Sequence, residues 1–381
     1  MTDVTIVIPT LGRPSLFELV AALPEGIPTL VVDDRADPGA APLDLPPHVR
    51  VLPGRAAGPA AARNVGWRAA RTEWVVFLDD DVLPGDGWAE QLAADLRDAD
   101  SRDADPRDAD PRDGGPPVGG VQGRLRVPLP SGRRPTDWER VTAALADGEW
   151  ITADMAYRRS ALALAGGFDE RLPRAFREDA ELAHRVREAG FLLRRGLRET
   201  THPVRGESRW VSVRTQRGNA DDALLRHLYG PRWRAVLEIP PGRRRRHAAV
   251  TAAGVVALTA AAARGITGQR QFTAAAVLAG LVWAAGTAEF AAARIAPGPR
   301  DRREVTTMLL TSAAIPPVAV AHWLRGWARW RGAEPIRPDQ EAVETRAVAE
   351  RTVERTVTDR TATDRTVTDN RQHRDFTEAR R

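Results

Sequence analysis

Four short runs of β-branched and apolar residues, separated by longer segments, constrain the first hundred residues more than any other feature. The runs are Val4 to Pro9, Thr29 to Asp33, Val49 to Leu52 and Trp74 to Leu78. Helical patterns lie between the first two runs and between the last two. Strands that alternate with helices in this way form a parallel sheet with helices on both faces. The sequence therefore predicts an α/β domain.

Polar residues stand at the ends of three of these predicted strands. They are Pro9 and Thr10, Asp33 and Asp34, and Asp79 to Asp81. In open α/β sheets, ligands bind outside the carboxyl ends of the strands. We therefore expect the three groups of residues to meet at one edge of the sheet and to form a binding site there.

The run Asp79, Asp80 and Asp81 follows the apolar strand WVVFL directly. Three carboxylates crowded at a strand end repel one another, and a divalent cation such as Mg²⁺ or Mn²⁺ relieves that repulsion and bridges to phosphates. Because the chain has no cysteine, further ligands must be carboxylates or imidazoles. The alternative is an acidic turn that caps the next helix.

Two helix starts carry further candidate residues. In GPAAARNVGWRAA, a helix begins at Gly58, and Arg63 and Asn64 lie in its second turn, which suits diphosphate binding. In EDAELAHRVREAG, Glu178 and Asp179 open a helix with an apolar stripe, and a carboxylate there can take a proton from a hydroxyl. The alternatives are a purely structural helix and stabilisation of a helix dipole.

The ordered motifs VTIVIPTLGRP, VVDD, GPAAARN, FLDDD, GGFDE and ED.EL resemble those of the family 2 glycosyltransferases, from about Met1 to Leu197. Enzymes of that family are inverting and have the GT-A fold, a nucleotide-sugar-binding, Rossmann-like mixed sheet. The resemblance implies metal-dependent transfer of a sugar from a nucleotide-diphosphate donor to a hydroxyl acceptor. The alternatives are a sugar-phosphate nucleotidyltransferase and a membrane scaffold with an inactive nucleotide-binding domain.

The resemblance also implies roles for individual residues. Asp179 is expected to be the catalytic base, with Glu178 beside it on the acceptor side. Asp81 is expected to bind Mn²⁺ or Mg²⁺, with His202 as a further ligand. The expected donor-binding residues are Pro9, Thr10, Asp33, Arg63, Asn64, Asp79 and Asp80. Of these, Asp33 is expected to contact the nucleobase of the donor, and Asp79 its ribose or sugar.

One residue departs from the pattern of the family. Asp154 stands where many members have a small uncharged polar residue. Together with Arg158 it either shapes selectivity for donor or acceptor, or forms a local ion pair.

Three apolar stretches follow the α/β region, at residues 247–263, 272–288 and 305–330. Each approaches the length of a membrane helix. The arginines that flank the first two stretches, beginning with Arg243 to Arg246, predict a hairpin with both ends in the cytoplasm. Pro316 and Pro317 interrupt the third stretch, and tryptophans end it, so it resembles an interfacial anchor more than a third span. The alternative is a soluble helical domain.

The resulting plan has a GT-A domain (1–215) with a disordered charged insertion at about 97–117, a helical linker (216–242), membrane-associated helices (243–331) and a disordered low-complexity tail (332–381). The N-terminus lacks a signal-peptide pattern, so the catalytic domain is expected on the cytoplasmic face of the inner membrane. The expected acceptor is an envelope glycan or a polyprenyl lipid. Nucleic acid is not expected, because the arginines flank apolar segments.

Overall fold

The computed structural model describes residues 3–37, 39–104 and 116–336, with only the backbone of 101–104. The strands are β1 (Val4–Thr10), β2 (Thr29–Asp33), β3 (Val49–Pro53), β4 (Trp74–Leu78), β5 (Leu83–Pro84), β6 (Val118–Arg126), β7 (Asp154–Arg158) and β8 (Leu192–Thr201). The helices are α1 (Ser15–Ala22), α2 (Pro59–Ala69), α3 (Trp88–Ala104), α4 (Asp137–Ala143), α5 (Arg159–Leu164), α6 (Glu178–Glu188), α7 (Val211–Arg214), α8 (Asn219–Tyr229), α9 (Trp233–Val236), α10 (Arg244–Thr267), α11 (Gln271–Ile295) and α12 (Arg302–Arg329). A 3-10 helix covers Thr215–Gly218.

The strands form one mixed sheet in the order β3-β2-β1-β4-β7-β6-β8-β5. The first four are parallel, as the sequence predicts, while β7 runs antiparallel to both β4 and β6. The predicted GT-A type of sheet, with helices on its faces, is confirmed. The carboxyl ends of β1, β2 and β4 lie at one edge, where the polar residues were expected to meet.

The sheet is buried on both faces, because alternate side chains of each strand point to opposite sides. On one face Ile6 and Ile8 pack with Leu16 of α1 and Leu92 of α3. The other face packs against α2, α5 and α6, through Val7, Trp67, Leu162, Leu182 and Val186, among others. Gly66 lets α2 approach β1 closely, since a Cβ atom there would lie 2.2 Å from Cγ1 of Val7.

Residues 97–104 of the predicted insertion are helical. Helix α3 continues to Ala104 because it is anchored in the core as far as its third quarter, where Leu96 and Ala99 are buried. Asp95 on the same helix accepts hydrogen bonds from the backbone of Leu197 and from Arg198. Residues 105–115, which hold most of the charged repeat, lie outside the described residues.

The predicted linker is a packed part of the domain. Leu224, Leu225 and Trp233 of α8 and α9 form a buried cluster with Leu172. The first residues of the predicted tail are also held: Arg171 donates to the carbonyl of Glu334 at 2.9 Å. The rest of the tail, residues 337–381, lies outside the described residues.

Three helices of the C-terminal region are long and apolar enough to cross a membrane: α10, α11 and α12. Helices α10 and α11 pack together as a hairpin and are longer at both ends than the predicted stretches. Their apolar side chains point outward: Leu258 is 74% exposed and Ile266 86% exposed.

Helix α12 differs from the hairpin because it contacts the α/β domain at both of its ends. Near its start, Glu304 accepts a hydrogen bond from the backbone of Asp137 at 2.8 Å. Near its end, Gly326 packs so closely on α8 that a Cβ atom there would lie 2.5 Å from the carbonyl of Ala220. Between these points, Arg294 of α11 donates to the hydroxyl of Thr311 at 2.8 Å.

Candidate active site

Asp80 fastens the end of β4 to the loop that follows β1. Its carboxylate accepts hydrogen bonds from Oγ1 of Thr10 at 2.7 Å and from Nη1 of Arg13 at 2.6 Å. Asp80 is 2% exposed, and Thr10 and the neighbouring Pro9 are buried as well. Thr10 and Asp80, two of the predicted donor-binding residues, therefore fix each other and the loop at the floor of the site.

Asp33 lies at the end of β2 beside an open cavity of about 610 Å³. The cavity is lined by Asp33, Arg35, Pro53, Gly54 and Arg55, among others. Both carboxylate oxygens of Asp33 accept from the guanidinium of Arg35, which lowers the pKa of Asp33. The cavity thus has a negative and a positive group side by side in its wall.

Asp34, the next residue, organises the loop that leads into α2. Its side chain accepts backbone N–H bonds from Arg55 at 3.0 Å and from Gly58 at 2.8 Å. Gly58 has φ of +95°, and a Cβ atom there would lie 2.1 Å from the carbonyl oxygen of Pro173. Only glycine fits this position, so the start of α2 is fixed against the loop before α6.

Arg63 joins the two halves of the site. Its Nη2 donates to Oδ1 of Asp79 at 2.7 Å, and its Nη1 donates to Oε1 of Glu178 at 2.8 Å. The side chain is 1% exposed, and although burial opposes it, the two carboxylates raise the pKa of Arg63. A guanidinium held in this way positions the carboxylates and is not free to meet a phosphate.

Asn64 has a comparable structural role on the same helix. Its Nδ2 donates to the carbonyl of Phe168 and to Oε1 of Glu170, and its Oδ1 accepts from Nε1 of Trp67 and from the backbone of Phe168. Every hydrogen-bonding position of the amide is thus used inside the protein, and Asn64 is 1% exposed. Asn64 fastens the GGFDE segment, residues 166–170, to α2, and its amide does not face a nucleotide-sugar donor.

Glu178 and Asp179 begin α6 but have different surroundings. Glu178 is buried, with one oxygen on Arg63 and the other on the backbone N–H of Phe176 at 2.6 Å. Asp179 is partly exposed, and its one hydrogen bond among the described residues comes from the backbone of Ala180. Burial raises the pKa of both carboxyl groups. The arrangement leaves Asp179 as the carboxylate with a free oxygen.

Asp81 faces a different set of residues from Asp79 and Asp80. Nε of Arg205 lies 3.0 Å from Oδ2 of Asp81, and Nε2 of His202 lies 3.8 Å from Oδ1. Burial and the charge of Asp79 raise the pKa of Asp81, against the effect of His202 and Arg205. Nδ1 of His202 lies 3.2 Å from the carbonyl of Pro203, so a proton on Nδ1 leaves the Nε2 lone pair for a ligand.

The repulsion expected within the aspartate run is relieved by arginines. Asp79 is paired with Arg63, Asp80 with Arg13 and Asp81 with Arg205. Over residues 3–37, 39–104 and 116–336, no group of three or more histidine, cysteine or acidic side chains is arranged to hold a metal ion. Asp81 and His202 nonetheless fit as a pair of ligands, with phosphate and water supplying the remaining oxygens.

Asp154 pairs with Arg198, not with Arg158 as one interpretation had it. Oδ1 of Asp154 accepts from Nε of Arg198 at 2.7 Å, and both side chains are fully buried. Arg158 pairs with Glu73 and Asp100. Asp154 lies opposite Leu78 in the sheet, so this ion pair supports the strand that carries the aspartate run.

Two residues of the site were not predicted from the sequence. Arg13 in LGRP and Arg205 in HPVRG reach Asp80 and Asp81 from distant loops. Their one sequence signal is proximity to Thr10 and His202, which is weak in a chain whose 56 basic residues are all arginines.

Known proteins are similar to this chain over its N-terminal part. Residues 5–112 match the family model described as glycosyl transferase family 2. Pre-mycofactocin glycosyltransferases from two strains of Mycobacterium tuberculosis, CDC 1551 / Oshkosh and ATCC 25618 / H37Rv, are 33% identical over 237 residues, which is 59% of this chain. The chain spans about half of the length of these relatives, 48%. Residues 5–112 are thus similar to glycosyl transferase family 2.

Solved structures with similar chain traces include a mannosyltransferase and TarS. A mannosyltransferase from Pyrobaculum calidifontis in complex with GDP-Man and Mn²⁺ has a TM-score of 0.42 and 18% identity, covering 87% of each chain. Residues 1–349 of TarS from S. aureus, in complex with UDP-GlcNAc, have a TM-score of 0.38 and 13% identity, covering 88% of this chain and 93% of that one.

Proposed function

We propose that this chain is a membrane-attached enzyme that transfers a sugar from a nucleotide-diphosphate donor to a hydroxyl group, with inversion at the anomeric carbon. The bridge that Arg63 makes between Asp79 and Glu178 carries the proposal. It joins the strand end on the donor side to the first turn of α6, where Asp179 lies. A single displacement needs base and leaving group within one site, held in fixed geometry.

In this proposal Asp33 and the cavity beside it take the nucleoside, and Asp79 faces the ribose or sugar. Arg63 holds Asp79 in place from behind, while Asn64 fastens the GGFDE segment and Asp80 the loop after β1. This division follows burial: the supporting side chains are at most 2% exposed, whereas Asp79 is 26% exposed.

Asp179 acts as the general base. It takes the proton of the acceptor hydroxyl while the hydroxyl oxygen bonds to the anomeric carbon and the bond from that carbon to the diphosphate breaks. Its raised pKa suits the role, because a base works best when its pKa approaches the working pH. Glu178 is committed to Arg63 and to the backbone, so it orients the turn.

A divalent metal, Mn²⁺ or Mg²⁺, would be held by Asp81 and His202. When bound, it would neutralise the charge that develops on the departing diphosphate. Arg205 contacts the other oxygen of the same carboxylate, Oδ2, at 3.0 Å.

The membrane and acceptor parts of the proposal rest on the C-terminal helices. The exposed apolar surface of α10 and α11 supports insertion as a hairpin, and the contacts of α12 at both ends support an interfacial position for it. We place the catalytic domain on the cytoplasmic face of the inner membrane. An envelope glycan or a polyprenyl lipid remains the proposed acceptor, and the similarity to pre-mycofactocin glycosyltransferases adds pre-mycofactocin to the candidates.

A donor panel tests the proposal. Purified full-length chain is incubated with UDP- and GDP-sugars and each candidate acceptor, and products are identified by mass spectrometry and by the NMR coupling constant of the anomeric proton. We expect one donor to be consumed and the product to have the opposite anomeric configuration. A product that retains the anomeric configuration of the donor would contradict inversion. A folded protein that neither binds nor consumes any of the donors would contradict the proposed glycosyl transfer.

A further inference from the structure

Three arginines without carboxylate partners lie together where α10 begins. We call Arg226, Arg244 and Arg245 the arginine cluster; the first is on α8 and the others are in the first turn of α10. The nearby acidic groups are committed elsewhere: Asp222 to Arg177 and Arg234, and Glu289 to Arg243 and Arg246. In the part of the chain that the structure describes, no carboxylate forms a salt bridge with the cluster.

The cluster has a clear excess of positive charge. The positive charges of Arg226 and Arg245 act on Arg244, and the negative charge of Asp222 partly offsets them. Burial and the charges of Arg177 and Arg244 lower the pKa of Arg234, next to the cluster, despite its contact with Asp222. Like charges held this close together favour an added anion.

Two tryptophans of α12 hold the arginines in place. The guanidinium of Arg244 lies 4.7 Å from the ring centre of Trp323, and that of Arg226 lies 5.9 Å from that of Trp327. The two indole rings are themselves stacked, 5.1 Å apart. Cation–π contacts orient a guanidinium without neutralising it, so its N–H groups remain available to an anion.

The position of the cluster points to the source of the anion. Beyond the arginines of its first turn, α10 consists mainly of apolar residues whose side chains face outward. Val255 is 54% exposed and Leu258 is 74% exposed. If the hairpin is inserted, the cluster lies at the level of the lipid headgroups, where arginine and tryptophan are both favoured. A phospholipid there offers a phosphate to the arginines and acyl chains to the apolar surface, which a free anion does not.

We propose that the arginine cluster and Trp323 form a binding site for the headgroup of an anionic phospholipid. The proposal rests on the proposed membrane attachment and not on the sugar-transfer reaction. The site lies directly behind the catalytic helix, since Asp222 beside it also contacts Arg177, the residue before Glu178. A bound lipid would thus hold the α/β domain against the membrane at the side that carries α6.

The test uses the full-length chain purified in a neutral detergent. Its melting temperature is measured with added short-chain phosphatidylglycerol, phosphatidylcholine, inorganic phosphate or polyprenyl phosphate, and bound lipid is counted by native mass spectrometry. The variant Arg226→Gln/Arg244→Gln/Arg245→Gln is compared with the control Arg50→Gln/Arg71→Gln/Arg97→Gln, which removes the same charge from exposed positions of β3, the turn after α2, and α3.

Phosphatidylglycerol should raise the melting temperature of the parent and the control, and phosphatidylcholine should not. Each arginine removed should weaken binding about fivefold, equivalent to ~1 kcal/mol, so the cluster variant should bind roughly a hundredfold more weakly. An equal effect of inorganic phosphate would overturn the lipid assignment, and binding of polyprenyl phosphate alone would reassign the cluster to the acceptor. Equal affinity of both triple variants for phosphatidylglycerol would show that lipid binding depends on net charge alone, and would overturn the proposed site.

Discussion

Nε of Arg205 lies 3.0 Å from Oδ2 of Asp81, so the aspartate proposed to bind metal is already paired with a cation. Arg205 is 41% exposed on the loop after β8, whereas Asp81 is 7% exposed and fixed at the end of β4. Because both groups are cations, the guanidinium of Arg205 on Oδ2 opposes the binding of a divalent metal at Oδ1 of the same carboxylate. The two side chains therefore allow variants with opposite expected effects.

We expect Asp81→Asn to lose metal-dependent nucleotide binding, because it removes a carboxylate ligand, and Arg205→Gln to strengthen Mn²⁺ binding, because it removes the opposing cation. Calorimetric titration of the full chain with Mn²⁺ in the presence of UDP or GDP measures both effects. Asp86→Asn, at an exposed position in the turn after β5, is the control. The metal proposal fails if nucleotides bind the parent equally well with and without Mn²⁺ or Mg²⁺.

Arg63 should matter more for stability than any exposed arginine of α2. Arg63→Gln leaves Glu178 buried without its cation, and breaking a buried ion pair in this way costs about 3–5 kcal/mol. That corresponds to a fall in melting temperature of roughly 10 °C for a domain of this size. Arg68→Gln is the matched control on the same helix, since Arg68 is 51% exposed and its distance to Glu170 is 3.8 Å. Similar melting temperatures of the two variants would contradict the bridging role.

The sequence predicts well which residues lie at the edge of the sheet. It predicts poorly which partners their side chains contact. Strand ends are readable because apolar runs stop at Thr10, Asp33 and Leu78, and parallel strands bring these ends together. Whether a side chain faces a ligand or the protein depends on partners far along the chain. Arg63 and Asn64 were assigned to the donor, but Glu178 and Phe168, over a hundred residues away, occupy them. No local pattern carries that information.

The pH dependence of turnover should follow Asp179. Burial raises its pKa, so the folded enzyme holds the proton at pH values where an exposed aspartate has lost it. Because only the deprotonated form accepts a proton, activity should be lost as pH falls through this raised pKa, and the acid limb should lie above the ordinary range for aspartate. A profile of kcat/KM against pH measures it. An acid limb at the ordinary position would contradict a desolvated base.

The proposed topology predicts that both ends of α12 lie on the same side of the membrane. The chain has no cysteine, so single cysteines can be labelled without background. In intact cells an impermeant maleimide should label Gln269→Cys, at the tip of the hairpin, but neither Arg303→Cys nor Ala328→Cys until the membrane is opened. Labelling of Ala328→Cys from outside would make α12 a third span. A chain ending near Gly242 would expose the face of α8 that packs on Gly326.

The most informative variant is Asp179→Asn, because it separates an inverting transferase from a nucleotidyltransferase and from an inactive scaffold. Asparagine keeps the volume and the hydrogen bond from Ala180 but cannot take the proton of the acceptor. Turnover should fall by about 10²-fold or more, the lower end for loss of a general base. Donor affinity should change little, because the hydrogen bonds around Asp33, Asp79 and Asp81 do not involve Asp179.

Stability separates this result from a purely structural role of Asp179. Loss of one negative charge at the start of α6 costs roughly 0.3–1 kcal/mol, too little to unfold the domain. Removing the raised-pKa carboxyl group also relieves the desolvation of a charge, which acts in the opposite direction. Glu188→Gln, at the exposed end of the same helix, is the matched control and should keep full turnover. A melting temperature near that of the parent with unchanged turnover would exclude Asp179 as the base, whereas a collapsed melting temperature would assign it to helix stability.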